Sequence, residues 1–187
     1  RAGPGRRQGG RREVSVGLQV LLDEQTIRDR VRSLAAEMRS DYGADDVHLV
    51  GVLTGAFVFL ADLVRAFDGG VTCDFIAVSS YGSGTSSSGE VRLTKDVDRS
   101  LEGRHVVVVE DIVDTGLTLS YLQEILRARG PRSIRTACLL SKPSRRKINV
   151  KVDYVGFTIE DKFVVGYGLD VDEKYRNLPF IGVVGEV

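Results

Sequence analysis

Four consecutive valines running straight into acids constrain this chain more than any other feature: "VVVVEDIVDTGLT", residues 106–118. A continuous β-branched run reads as a strand buried on both faces, the habit of a parallel sheet covered by helices. Glu110 and Asp111 follow at once, then Asp114 and the small polar run Thr115-Gly116-Leu117-Thr118. Buried carboxylates are costly unless something pairs with them, and neighbouring ones repel. A hydroxyl-rich ligand or a metal ion would relieve both problems.

The remaining chain alternates helix-like and strand-like segments without an internal repeat. This predicts an α/β fold, a mainly parallel central sheet flanked by helices. Asp23 is placed to cap a helix whose stripe is Ile27, Val31, Leu34 and Met38. A strand is expected over 47–53, a helix over 56–67 and another strand over 71–81. The run "GSGTSSSGE" (82–90) has nothing to bury, so it is either a linker or a mobile flap over a site. "VRLTKDV" reads as a returning strand that would make the flap a β-arm. A helix is expected over 118–129, ended by Gly130-Pro131, then strands over 134–142 and 152–159 and a last one near Ile181.

Length and composition fit one domain, residues 14–187, behind a basic tail, residues 1–13. Lys plus Arg equals Asp plus Glu at 26 each, so overall charge gives no reason to expect nucleic acid or membrane as partner. The tail "RAGPGRRQGGRR" holds five arginines and no acid, which leaves the remainder net acidic. Rich in glycine, it is expected to be disordered. Cys73 and Cys138 sit in apolar segments without zinc-ligand spacing, which predicts buried free thiols in a reducing cytoplasm. No apolar run approaches bilayer length, and the arginine-rich start lacks the apolar core of a secretory signal. His48 and His105 lie at strand starts with no partner motif and read as structural.

In open α/β sheets ligands bind at the carboxyl ends of the strands. The acids of "VVVVED" stand there, and the next loop runs into a helix. Backbone N–H groups at that helix start, with Gly116 allowing close approach and Thr115 and Thr118 beside it, make a phosphate nest. Neither the three-glycine dinucleotide fingerprint nor a Gly-Lys-Ser/Thr loop is present. A sugar phosphate satisfies both halves, with its phosphate in the nest and ribose hydroxyls donating to Glu110 and Asp111.

On these residues the stretch resembles the phosphoribosyl-diphosphate (PRPP) signature of type I phosphoribosyltransferases. Asp114, two before the glycine, resembles the 6-oxopurine branch; adenine- and orotate-using members generally have a small residue there. "LLSK" places Lys142 like the lysine that reads the purine O6. "DKFVVGYGLD" (161–170) is similar to the purine and metal segment of hypoxanthine-guanine phosphoribosyltransferases. Leu53-Thr54-Gly55 resembles their pyrophosphate loop, which contacts its ligand through the backbone and often holds a non-proline cis peptide. Thr54 stands where many members carry lysine. Ser80-Tyr81 opens the arm as their closing loop does. The resemblance runs from about Asp23 to Val184.

That resemblance implies the type I fold with a small hood and a flexible β-arm. It also implies Mg²⁺-dependent transfer of phosphoribose from PRPP to N9 of hypoxanthine or guanine, giving IMP or GMP and pyrophosphate. Asp114 would serve as the base at N7. Glu110, Asp111, Asp114, Thr115, Gly116, Leu117 and Thr118 would hold PRPP or nucleotide. Lys142, Phe163 and the backbone of Val164 would read the purine. Thr54, Gly55 and Arg176 would meet pyrophosphate, Ser80 and Tyr81 would belong to the closing loop, and Asp170, Glu110 and Asp111 would face the metal. A homodimer or homotetramer in the cytoplasm is the family habit. Two rivals share parts of the pattern. One is a xanthine-preferring enzyme. The other is a PRPP-sensing regulator binding nucleic acid, which Asp114, the net acidic body and the lack of a preceding winged-helix segment all disfavour.

Overall fold

The computed structural model describes residues 17–80 and 91–185, so the basic tail, Tyr81 and the 82–90 run lie outside the described residues. Six strands form the main sheet: β2 (Val47–Leu53), β3 (Val71–Ser80), β4 (Val91–Lys95), β5 (His105–Val113), β6 (Ser133–Ser141) and β7 (Tyr154–Thr158). Their spatial order is β4-β3-β2-β5-β6-β7. All neighbouring pairs are parallel except β3 with β4. The chain builds outward from β2 to β3 in one direction and from β5 to β7 in the other. The carboxyl ends of β2 and β5 therefore meet at the point where strand order reverses, where open sheets leave a crevice for ligands.

The valine run is explained by what covers it. Val107 and Val109 face a core built with α1 (Glu24–Tyr42) and α2 (Phe57–Ala66). Val106 and Val108 face the opposite core, with Leu119, Leu122 and Leu126 of α3 (Leu117–Arg127). All four valines are fully buried. Alternation along one strand thus feeds two cores, and no polar residue could be placed in the run without facing one of them. Asp23 caps α1 by accepting from the Thr26 N–H at 2.7 Å, and Ile27, Val31, Leu34 and Met38 form its buried stripe.

Two expectations are corrected. The strand of the signature does not stop at the acids: β5 runs on to Val113, because β6 continues beside it as far as Ser141. Cys73 is exposed while Cys138 is buried. The first half of β3 is an open edge, since β4 pairs only with Ala77–Ser80. The strand β1 (Leu18–Leu22) was not anticipated, nor was the two-residue β8 (Val164–Val165). With β9 (Ile181–Val184) they form a separate antiparallel sheet in the order β1-β9-β8, the small hood.

Candidate active site

The loops at the carboxyl ends of β2 and β5 and the hood segment 166–170 pack onto one another. Leu53-Thr54 is a cis peptide, in the loop where the resemblance placed one. A Cβ on Gly55 would fall 1.6 Å from Asp111 Oδ2, and one on Gly168 would fall 2.2 Å from the Gly55 carbonyl oxygen. Each glycine therefore marks a place where another group occupies the side-chain position. Gly168 also has φ +100°, which other residues rarely adopt. Arg176 clamps the hood side, donating from Nη1 to the Gly168 carbonyl at 2.6 Å and pairing through Nη2 with Asp170 at 2.9 Å. Asp170 further accepts from the Glu173 N–H at 2.8 Å.

Glu110 is buried, and burial raises its pKa well above the usual carboxylate range, with the neighbouring Asp111 charge adding to the rise. Burial also raises Asp111, to about 6, against lowering from the Ile112 and Asp111 backbone N–H groups and from the Arg176 guanidinium. Neither acid has a direct cationic partner among the described residues. Two carboxylates held this way favour an incoming cation or hydroxyl donors.

Next to them the nest is open. Gly116 precedes α3 in the left-handed region at φ +85°, with no side-chain cap on the helix. A Cβ there would meet the Ile148 carbonyl at 2.9 Å and Val150 at 3.1 Å, so the turn requires glycine. The Thr115 carbonyl accepts from the Lys147 and Ile148 N–H groups at 3.0 and 3.2 Å, which fixes the nest from behind. Thr115, Leu117 and Thr118 are all partly exposed.

The residues expected to read the purine come from two segments, the end of β6 and the start of β8. Lys142 follows β6 and is buried; its ammonium donates to the Lys162 carbonyl at 2.6 Å and pairs with Asp161 at 3.5 Å. It is not a solvated lysine. Phe163, by contrast, is 58% exposed, unusual for a large aromatic residue. The Val184 N–H bonds to the Phe163 carbonyl, and Val164 lies opposite Val183. In antiparallel alternation that register turns the Val164 peptide groups away from β9, toward the open edge. Ser80 ends β3, and Tyr81 lies outside the described residues.

Sequence reasoning missed Arg145, Arg146 and Asp161. Pro143–Arg145 form a 3-10 turn directly after Lys142. Arg146 donates to the Val113 and Asp114 carbonyls and, at 2.9 Å, to Ser141 Oγ, tying that turn to the loop after β5. Arg145 Nε pairs with Asp114 at 3.1 Å, and its Nη1 with Asp161 at 3.4 Å. The signal was present in "KPSRR": a proline-started turn at a strand end, carrying two guanidinium forks toward an acidic loop.

Oxygen donors suit a hard cation such as Mg²⁺, which is commonly held by one or two carboxylates plus substrate oxygens and water. Asp111 feels the charge of Asp170, which places both carboxylates in one neighbourhood. No cluster of three or more His, Cys, Asp or Glu able to hold a metal occurs among the described residues. Carboxylates are donors of the kind such a cation takes, so the residues present fit it.

Residues 18–172 match the phosphoribosyl transferase domain family. The chain is 52% identical over 165 residues to the hypoxanthine-guanine phosphoribosyltransferase of Bacillus subtilis, covering 88% of this chain and 92% of that protein. It is 48% identical to the Aquifex aeolicus enzyme of the same name, over 89% of this chain and 94% of the relative. The crystal structure of a hypoxanthine-guanine phosphoribosyltransferase from Bacillus anthracis superposes with TM-score 0.86 at 45% identity, covering 89% of this chain and 98% of that one.

Proposed function

The chain belongs to the phosphoribosyltransferase family, and from that premise we propose that it is a purine-salvage hypoxanthine-guanine phosphoribosyltransferase. It transfers phosphoribose from PRPP to N9 of hypoxanthine or guanine, releasing pyrophosphate. The observation that carries the 6-oxopurine reading is Lys142, a buried ammonium bonded to the Lys162 carbonyl, one residue before the exposed Phe163.

The residues divide the work as follows. The N–H groups of Thr115, Gly116, Leu117 and Thr118 hold the 5′-phosphate, with the hydroxyls of Thr115 and Thr118 closing the nest. Glu110 and Asp111 accept from the ribose hydroxyls and, as carboxylates, favour the positive charge that develops on the sugar. Asp114 takes or hydrogen-bonds the N7 proton as the purine becomes nucleophilic. Lys142 donates to O6, whereas the 6-amino group of adenine would confront it with a second donor. Phe163 stacks on the purine face and the Val164 carbonyl accepts from the guanine 2-amino group. The backbone of Thr54 and Gly55 and the remaining donors of Arg176 hold pyrophosphate. Ser80 and Tyr81 belong to the loop that covers the site.

Asp170, with Glu110 and Asp111, would face Mg²⁺. When bound, the cation neutralises charge on the leaving pyrophosphate. A homodimer or homotetramer and a cytoplasmic setting complete the reading. No described helix is long and apolar enough to cross a membrane. Among the described residues both cysteines are free.

Turnover with PRPP and each of hypoxanthine, guanine, xanthine, adenine and uracil tests the reading. Production of IMP and GMP is expected. Preferential use of xanthine, or PRPP binding without turnover of any base, would replace it.

A further inference from the structure

We propose that Arg145 is a positioning residue that joins the N7 base to the O6 donor; this rests on the 6-oxopurine reading above. Its guanidinium spans two carboxylates, reaching Asp114 from Nε at 3.1 Å and Asp161 from Nη1 at 3.4 Å. Asp161 in turn lies 3.5 Å from the Lys142 ammonium. The result is a chain of alternating charge, Asp114–Arg145–Asp161–Lys142, whose two ends are the two groups assigned to the purine's 6- and 7-positions.

Each link has a local cause. Pro143 starts the turn after β6, and the Arg145 N–H closes it on the Lys142 carbonyl at 3.1 Å. Arg146 anchors the same turn onto the carbonyls of Val113 and Asp114. Arg145 is thereby presented to the Asp114 side chain from a fixed base. Planar and forked, a guanidinium can hold two carboxylates at once, which a lysine ammonium on a flexible stem does poorly. Arg145 bonds Asp114 through Oδ1. This leaves the second carboxylate oxygen for a ligand.

The consequence for Lys142 is less direct. Asp161 is shared between two cations, so neither holds it alone. Removing Arg145 leaves Asp161 with one partner, Lys142, and that tighter ion pair draws the ammonium away from O6. Arg145 thus orients the base at one end and keeps the donor available at the other. All three side chains are roughly half-exposed, so the pairs themselves add little to stability. Their effect belongs to the substrate complex, where a bound purine excludes water from them.

The test is a cycle of Arg145→Ala, Asp161→Asn and the double variant, with Arg145→Lys as the conservative change. Thermal midpoints and KM for PRPP and for hypoxanthine are measured for each. Arg145→Ala should raise KM for hypoxanthine about tenfold, the scale of one charge-assisted hydrogen bond, with the midpoint almost unchanged. Adding Asp161→Asn should recover the part of that loss that comes from Lys142, because the competing carboxylate is gone, and leave the part that comes from Asp114. Arg145→Lys should recover little. Additive losses in the double variant, or full rescue by lysine, would overturn the proposal. So would unchanged kinetics in Arg145→Ala while the wild-type chain uses hypoxanthine. Wild-type inactivity toward every 6-oxopurine would instead remove the functional reading beneath it.

Discussion

At the scale of single residues, two side chains separate chemistry from recognition. Asp114→Asn keeps shape and removes charge, so the nest and the fold should survive while turnover falls by about 10²–10⁴-fold, the usual worth of a general base. Steady-state kinetics with hypoxanthine measures this, and a near-normal kcat would take Asp114 out of that role. Lys142→Ala removes a buried donor that now bonds the Lys162 carbonyl at 2.6 Å. KM for hypoxanthine and guanine should rise by roughly 10–100-fold, and discrimination against adenine should weaken, because the 6-position loses its reader. Unaltered base affinities would mean that another group reads that position.

At the scale of elements, the site depends on how closely two loops approach. Gly168→Ala places a Cβ against the Gly55 carbonyl and imposes φ +100° on a residue that resists it. The expected cost is about 1–3 kcal/mol of stability, with a raised KM for PRPP as the pyrophosphate loop is displaced. Gly103→Ala is the control: its φ is +70°, but nothing lies within 4 Å of the added carbon. It should lose stability without touching KM. Unfolding and kinetics measured on both variants separate strain from displacement. These contacts also mark where the sequence ceased to be legible. The valine strand, the α1 stripe and the open nest follow from local pattern and period. The strand β1 and the two-residue β8 do not, because each exists only through pairing with β9, which lies at the far end of the chain from β1 and across an irregular segment from β8. For the same reason the clamp of Arg176 on Gly168 and Asp170 could not be read from "EKYRNL" alone. Arg145 was overlooked differently: its partners Asp114 and Asp161 are far from it in sequence, and only the return of β6 and β7 beside β5 brings them together. Cys73 was misread because an apolar segment does not reveal that its strand is an uncovered edge.

At the scale of the whole molecule, the acids near the end of β5 are expected to couple stability to substrate. Burial raises the Asp111 pKa from 3.8 to about 6. A raised carboxyl pKa stabilises the folded state fully below 3.8, and that contribution is lost as pH rises through about 6. The ionised form is nevertheless the one that ribose hydroxyls and a cation need. Ligand-free protein should therefore lose the Asp111 contribution between about pH 4 and pH 6, in this site's share of the thermal midpoint, while PRPP with Mg²⁺ should add more stability at pH 7 than at pH 5. Binding that requires the ionised acid weakens about tenfold per pH unit below its pKa, or about 1.4 kcal/mol of stabilisation. For a chain of this size that corresponds to roughly 3–6 °C less thermal shift at pH 5. PRPP carries titrating groups of its own, so the measurement pairs wild type with Asp111→Asn, in which the ligand's titration is unchanged. The pH dependence of the ligand-induced shift should be shallower in the variant. Parallel profiles would show that Asp111 does not control the charge state on which PRPP depends, leaving that task to Glu110 or to the ligand itself.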